Sequence, residues 1–167
     1  MTRLHEEIET PLPLDVAFPF VADFANSSRW DPGVNSSEAI DPGPLAVGIR
    51  YRLVVRMGGR LAPMEYRVSA LEPMRRVVLT GSGSGVTAVD EIRFQRSGSG
   101  THIDYTADIR LGGLLRLVQP FLGGPFRKIA KDALAGMEKT LGEMAARETA
   151  GSQQEAGPAP VPGSPGA

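Results

Sequence analysis

The stretch from Pro125 to about Arg147 constrains this chain more than any other. Its apolar residues are Phe126, Ile129, Ala130, Ala133, Leu134, Met137, Leu141, Met144 and Ala145. They recur at steps of three and four, which gathers them on one face of an α-helix. Arg127, Lys128, Lys131, Asp132, Glu138, Lys139 and Glu143 fall on the other faces, as expected of a solvated surface. At ~1.5 Å per residue the predicted helix is roughly 33 Å long. One greasy face of that length needs a partner, and the candidate is the run of strand-like segments upstream. Gly123-Gly124 marks the break before the helix, and Pro125 suits the first helical position, where its missing N–H is not needed. Gly136 and Gly142 lie inside the helix. Each costs about 1 kcal/mol relative to alanine, and each either permits a close approach or faces solvent.

Upstream, Leu4, Glu6, Ile8 and Thr10 alternate with His5, Glu7 and Glu9, the pattern of a first strand. Pro11 and Pro13 end it. Val16, Ala17, Phe20 and Val21 then share a helical face, with Pro19 holding that helix short or kinked. A second short helix is predicted over Phe24–Arg29. Trp30-Asp31-Pro32-Gly33 forces a turn, in which Asp31 is expected to bond nearby backbone amides. Strands are predicted at Val34–Ile40, Arg50–Met57, Leu61–Leu71, Arg75–Thr80, Val86–Arg96 and Thr101–Arg110. Their turns are Asp41-Pro-Gly-Pro, Gly58-Gly59, Glu72-Pro73, a flexible Gly81–Gly85 connection and Ser97–Gly100. Short strands with tight turns imply an antiparallel meander, hence an α+β chain.

Several classes are disfavoured. The 167 residues suggest one domain, covering 1–148. Residues 149–167 turn to Gly, Pro, Ala, Ser and Gln and are expected to form a disordered tail. Net charge is −1 with no basic block, so no nucleic-acid partner is expected. No apolar run approaches ~20 residues, so no transmembrane segment is expected. The N-terminal sequence lacks a signal-peptide core, and a cytoplasmic location is expected. There is no cysteine, which removes disulfides, thiolate metal sites and a cysteine nucleophile. Oligomeric state is left open.

Five stretches carry a resemblance: Pro13-Leu-Asp-Val-Ala-Phe18 with Val21-Ala-Asp-Phe-Ala-Asn-Ser-Ser-Arg-Trp-Asp-Pro-Gly33, then Asp90-Glu-Ile-Arg-Phe94 with Gly100-Thr-His-Ile-Asp-Tyr-Thr-Ala-Asp-Ile-Arg110, then Phe126-Arg-Lys-Ile129. With the order strand, two short helices, six strands, long helix, they resemble the polyketide cyclase/dehydrase-like (SRPBCC) proteins of the START/Bet v 1-like helix-grip superfamily. The resemblance covers about residues 3–147. It implies a helix-grip fold, in which a curved antiparallel seven-stranded sheet wraps around a long C-terminal helix. It also implies a cavity for an apolar small molecule between them. Fold alone does not fix activity, and no catalytic signature comes with the resemblance.

Strand alternation predicts which residues face that cavity. Inward parity takes Leu4, Glu6 and Ile8; Tyr51, Leu53, Val55 and Met57; Met64, Tyr66, Val68 and Ala70; Ala88, Asp90, Ile92 and Phe94; and Ile103, Tyr105, Ala107 and Ile109. On the fifth strand, Val77/Leu79 and Val78/Thr80 both fit. The candidate ligand-binding set is Trp30, Tyr51, Leu53, Val55, Met64, Tyr66, Val68, Asp90, Ile92 and Tyr105, with Ile129, Ala133 and Met137 from the helix. Trp30 either lines the cavity mouth or anchors the short helices, and the tyrosines are either site groups or ordinary core. Both histidines, His5 and His102, take the outward parity. No transition-metal site and no cofactor are therefore expected. Three functions compete. The first is binding of a lipid, isoprenoid or polyketide-like aromatic. The second is a cyclase or dehydratase using Asp90, Tyr66 and Tyr105 as acid/base groups. The third is a protein-interaction module built on the apolar Leu114–Leu122 stretch.

Overall fold

The computed structural model describes residues 1–57, 59–113 and 123–155. The predicted Leu114–Leu122 surface, Gly58 of the second turn and residues 156–167 lie outside them. The first strand, β1, is Thr2–Thr10, followed by helix α1, Leu14–Ala22. A 3-10 turn at Phe24–Asn26 runs into α2, Ser27–Trp30. Then come β2 (Val34–Ala39), β3 (Arg50–Met57), β4 (Arg60–Glu72), β5 (Arg76–Gly83), β6 (Val86–Ser97) and β7 (Gly100–Leu111), and the long helix α3, Gly123–Glu155.

The strands form one antiparallel sheet in the order β1-β7-β6-β5-β4-β3-β2. Only β1 leaves the meander: it crosses to pair with β7, from Thr2 opposite Ile109 to Thr10 opposite Thr101. The curled sheet grips α3 against its concave face, the helix-grip architecture that the sequence predicts. Alternation decides the faces, as the period of two requires. Tyr51, Leu53, Met64, Tyr66, Val68, Ala88, Asp90, Ile92, Phe94, Ile103 and Ala107 are all buried. The open choice on β5 resolves to Val77 and Leu79, both fully buried.

Three expectations are corrected. A bulge lies between Val68 and Ala70, where β4 shifts register against β5. An extra residue flips the parity beyond it, so Leu71, not Ala70, packs against the core. The Gly81–Gly85 segment is not a free connection, because β5 runs through Gly83. Finally, α3 begins at Gly123 rather than Pro125 and continues past Arg147 to Glu155. The first residues of the expected tail, 149–155, are therefore helical.

From Met137 onward α3 buries Met137, Leu141 and Ala145. It also approaches α2 closely: a Cβ added to Gly136 would overlap the Trp30 carbonyl oxygen. The Thr140 hydroxyl donates to the Arg29 carbonyl at 3.2 Å. These contacts set the distance between α3 and the Trp30–Gly33 turn. Among the described residues no helix is long and apolar enough to cross a membrane.

Candidate functional site

Toward the N-terminal half of α3 the packing opens into a cavity of about 150 Å³. Leu53, Val55 and Met57 of β3, Met64 of β4, Val86 and Ala88 of β6, and Ala107 and Ile109 of β7 make its floor. Ile129, Ala130, Ala133 and Leu134 of α3 roof it, and Phe24, Trp30 and Val34 close one side. Side-chain polarity on the wall comes mainly from Glu6, Asp31, Tyr66, Asp90 and Tyr105, with Ser27 and Arg56 also present.

Asp90 is the centre of that polar group. Its parity on β6 sends it inward among Ala88, Ile92 and Phe94, and it is only 5% exposed. The Tyr105 hydroxyl donates to Asp90 Oδ1 at 3.0 Å, while Oδ2 is buried without a partner among the described residues. Burial disfavours the charged carboxylate and raises its pKa to about 7. The Tyr105 and Tyr66 hydroxyls oppose that rise, and the Asp31 charge adds to it. Asp90 therefore exchanges a proton near neutrality, unlike an ordinary aspartate. Tyr66 and Tyr105 are pushed well above the usual phenol range, by burial first and then by the Asp90 charge. Tyr105 acts on Asp90 as a hydrogen-bond donor, and both tyrosines remain protonated at neutral pH.

The Tyr66 ring owes its place to a residue with no side chain. Gly81 lies directly opposite Tyr66 in the β4–β5 ladder, and a Cβ there would overlap the ring. The ring also packs against Phe24, with centroids 5.4 Å apart.

Asp31 is a turn residue, as expected. Its Oδ1 accepts the Gly33 N–H at 2.7 Å. It also borders the cavity, and burial raises its pKa to about 6, with the Gly33 bond opposing and the Asp132 charge adding. Trp30 does both things expected of it. It is 4% exposed, packs edge-on against Phe24 and Tyr105, and forms part of the wall. Its Nε1 is buried with no hydrogen-bond partner among the described residues.

Of the predicted set, Trp30, Leu53, Val55, Met64, Tyr66, Asp90, Tyr105, Ile129 and Ala133 meet at the cavity. Ile129 sits at the rim, 41% exposed. Tyr51, Val68, Ile92 and Met137 do not: all four are packed in the solid part of the core, at 0–1% exposure. Sequence reasoning left Asp31 as a turn residue and omitted Phe24, Ala130 and Leu134 from the site. The last two share the helical face of Ile129 and Ala133, and that spacing was the available signal. Asp31 had none beyond adjacency to Trp30.

A family model described as polyketide cyclase/dehydrase and lipid transport matches residues 1–142. No curated protein matches the chain. Solved structures resemble it in fold. A Thermus thermophilus protein superposes with a TM-score of 0.70 at 17% identity, covering 83% of this chain and 96% of its own. A START superfamily protein from Mycobacterium smegmatis gives 0.69 at 14% identity, covering 89% and 99%. The Zhui aromatase/cyclase from Streptomyces sp. R1128 gives 0.62 at 16% identity, covering 88% and 94%.

Proposed function

The chain belongs to the polyketide cyclase/dehydrase and lipid transport family, and from that premise we propose that it holds a small apolar molecule bearing one polar group in the cavity under α3. The observation that carries this is the division of the wall. Aliphatic side chains make most of the surface, and the carboxyls and tyrosines Asp31, Tyr66, Asp90 and Tyr105 form a polar group within it. An apolar cleft with a few placed polar groups is the general form of a small-molecule site. Among the described residues Trp30 Nε1 and Asp90 Oδ2 lack partners, and a buried polar atom without one is costly. A ligand hydroxyl or carbonyl at that end would offset part of the cost. A volume of about 150 Å³ fits a compact body of one or two rings, or a bent chain, better than an extended lipid; an apolar cavity of similar size takes benzene. Lipid, isoprenoid and polyketide-like aromatic ligands remain the classes to test, and the volume favours the last.

Trp30 is the only tryptophan of the chain and stands in the cavity wall, so its fluorescence reports occupancy. Titration with hydroxylated one- and two-ring aromatics is expected to shift or quench it saturably, and native mass spectrometry of freshly purified protein is expected to show a bound apolar molecule. No response to any ring or chain ligand, together with an empty native spectrum, would overturn the reading.

A second reading is a cyclase or dehydratase, and one observation favours it: Asp90, with its pKa near 7, has one oxygen bonded to Tyr105 and one left over. A group that titrates near the working pH is suited to general acid–base catalysis. In this reading Asp90 moves the proton, while Tyr66 and Tyr105 orient it and the substrate. Loss of turnover in Asp90→Asn with binding retained would separate this role from one that only orients the ligand.

A further inference from the structure

On the opposite face of the sheet from the cavity, β1 and β7 bring five titratable side chains together. Glu7 stands directly across from Asp104, and Glu9 across from His102. Like charges opposed across two strands destabilise the pair unless a cation lies between them. The next ladder position with an acid solves this with an arginine: Arg3 is opposite Asp108 and bonds it through two nitrogens at 3.1 and 2.9 Å. Arg93, opposite Asp104 on β6, is engaged at 2.8 Å by Glu91. The groups that bracket Glu7 and Asp104 are instead two imidazoles.

The spacing of these atoms is that of metal ligands. His5 Nε2 lies 3.0 Å from Asp104 Oδ2 and 3.7 Å from Glu7 Oε1, and ligand atoms of all three residues fall within 4.8 Å of one another. His102 Nε2 is 3.9 Å from Glu7 Oε2. A tetrahedral ion with bonds of about 2.0–2.1 Å sets its ligand atoms roughly 3.3 Å apart, so small rotamer changes close the set of His5, Glu7 and Asp104, and a larger turn of the His102 side chain, which lies outside that group, brings it in as the fourth ligand. His102 is also oriented for the task. Its Nδ1 faces Glu9 Oε1 at 2.8 Å. A carboxylate bound to one ring nitrogen fixes the tautomer and turns the other nitrogen's lone pair outward, the arrangement found behind metal-ligating histidines.

We propose that His5, Glu7, His102 and Asp104 bind a divalent transition ion of the zinc class, with Glu9 positioning His102. The sequence-based expectation of no metal weighed inward-facing histidines. These two face outward and are brought together by the register of strands 99 residues apart in the chain, which no local motif announces. The ion would join the first strand to the last on an otherwise ordinary sheet face. His5 also borders the cavity, whereas Glu7, His102 and Asp104 are not part of its wall.

The test uses the untagged full chain and zinc chloride alone, by calorimetry and thermal unfolding. One ion per chain is expected. At a hundred-fold excess over Kd, binding to the folded state only raises the unfolding midpoint by roughly 5–10 °C. His5→Gln and His102→Gln are each expected to weaken binding at least ten-fold, and Glu9→Gln about ten-fold, as outer-shell partners do. Because these side chains are exposed or half-exposed, the variants should unfold at the apo midpoint, which separates lost binding from lost folding. Magnesium should give no shift, since imidazole is a poor ligand for it. The proposal is overturned if zinc neither binds nor shifts unfolding at millimolar concentration. It is equally overturned if binding persists in the double histidine variant or if magnesium matches zinc, because the carboxylates would then be acting alone.

Discussion

The two halves of α3 rest on the same sheet and do opposite things. Around Met137, Leu141 and Ala145 the space between helix and strands is filled, and Tyr51, Val68, Ile92 and Met137 are sealed within it. Around Ile129, Ala130, Ala133 and Leu134 the space is hollow, and the polar groups of the concave face collect there. Both halves show the same helical period, and the strands beneath show the same alternation. The difference lies in volume. A methionine and a leucine fill one end, whereas alanines on helix and floor (Ala130, Ala133, Ala88, Ala107) fail to fill the other. Periodicity thus tells which way a side chain faces, and only the sum of volumes tells whether the space is occupied.

Truncation at the filled end should therefore act on stability, and filling at the hollow end on binding. Met137→Ala is expected to cost about 2–5 kcal/mol, since it leaves a void in close-packed core, while Trp30 still reports ligand binding in the folded protein. Chemical denaturation measures the first and fluorescence titration the second. Ala133→Phe projects a ring into the cavity. It is expected to abolish binding at a stability cost of at most about 1–3 kcal/mol. If Met137→Ala weakens binding as much as Ala133→Phe does, the two halves are one compartment and the contrast is broken.

Asp90→Asn probes the electrostatics of the hollow end. The folded-state pKa of Asp90 is about 7, against a reference of 3.8. Between those values the folded state binds more protons than the unfolded one, so the contribution of Asp90 to stability falls as pH rises from about 4 to about 7. Below the reference value both states are protonated and the penalty is absent. Above pH 7 both are ionised and the penalty is full, at most about 4 kcal/mol. Asn keeps the shape and cannot ionise. The variant is expected to match the wild type near pH 4 and to exceed it in stability increasingly up to pH 8. Asp31 titrates in a similar window, so the quantity to measure is the difference between the two proteins at each pH. A difference that does not change with pH would mean that Asp90 is solvated, and the polar end of the cavity would lose its distinct character.

Much of this was legible in the sequence, and the illegible parts share a cause. The apolar period of 125–147 and the turn chemistry of the hairpins were enough for the fold, and alternation placed Asp90, Tyr66 and Tyr105 inward. What failed depended on relations between segments far apart in the chain. The extra residue at Ser69 flips Leu71 inward, and a bulge has no signature in a strand of ordinary composition. Gly81 reads as a loop glycine, yet it lies within β5 because the Tyr66 ring occupies the space of its side chain. Tyr51, Val68, Ile92 and Met137 were assigned to the cavity on parity, which is blind to filling. The His5–Glu7–His102–Asp104 cluster needs the β1–β7 register, which no local pattern supplies.

The two interior glycines of α3 offer the finest test of the comparison. In sequence they are equivalent, both within the same apolar-periodic stretch. In the structure Gly136 lies against the Trp30–Pro32 turn, where a Cβ would overlap the Trp30 carbonyl oxygen and come within 3.0 Å of Pro32 Cδ, whereas a Cβ on Gly142 would meet nothing within 4 Å. Alanine at either site gains helix propensity of about 1 kcal/mol. At Gly142 that gain is unopposed, so Gly142→Ala is expected to stabilise by roughly 0.5–1 kcal/mol and leave binding untouched. At Gly136 the methyl must push α3 away from a backbone oxygen that cannot swing aside. Strain of about 1–3 kcal/mol then exceeds the gain, and the displaced helix carries Ala133 and Leu134 with it. Gly136→Ala should therefore lower the unfolding midpoint and change the Trp30 response to ligand. Equal and stabilising effects at both positions would show that α3 does not touch the Trp30 turn, and that the roof of the cavity is set by something other than this contact.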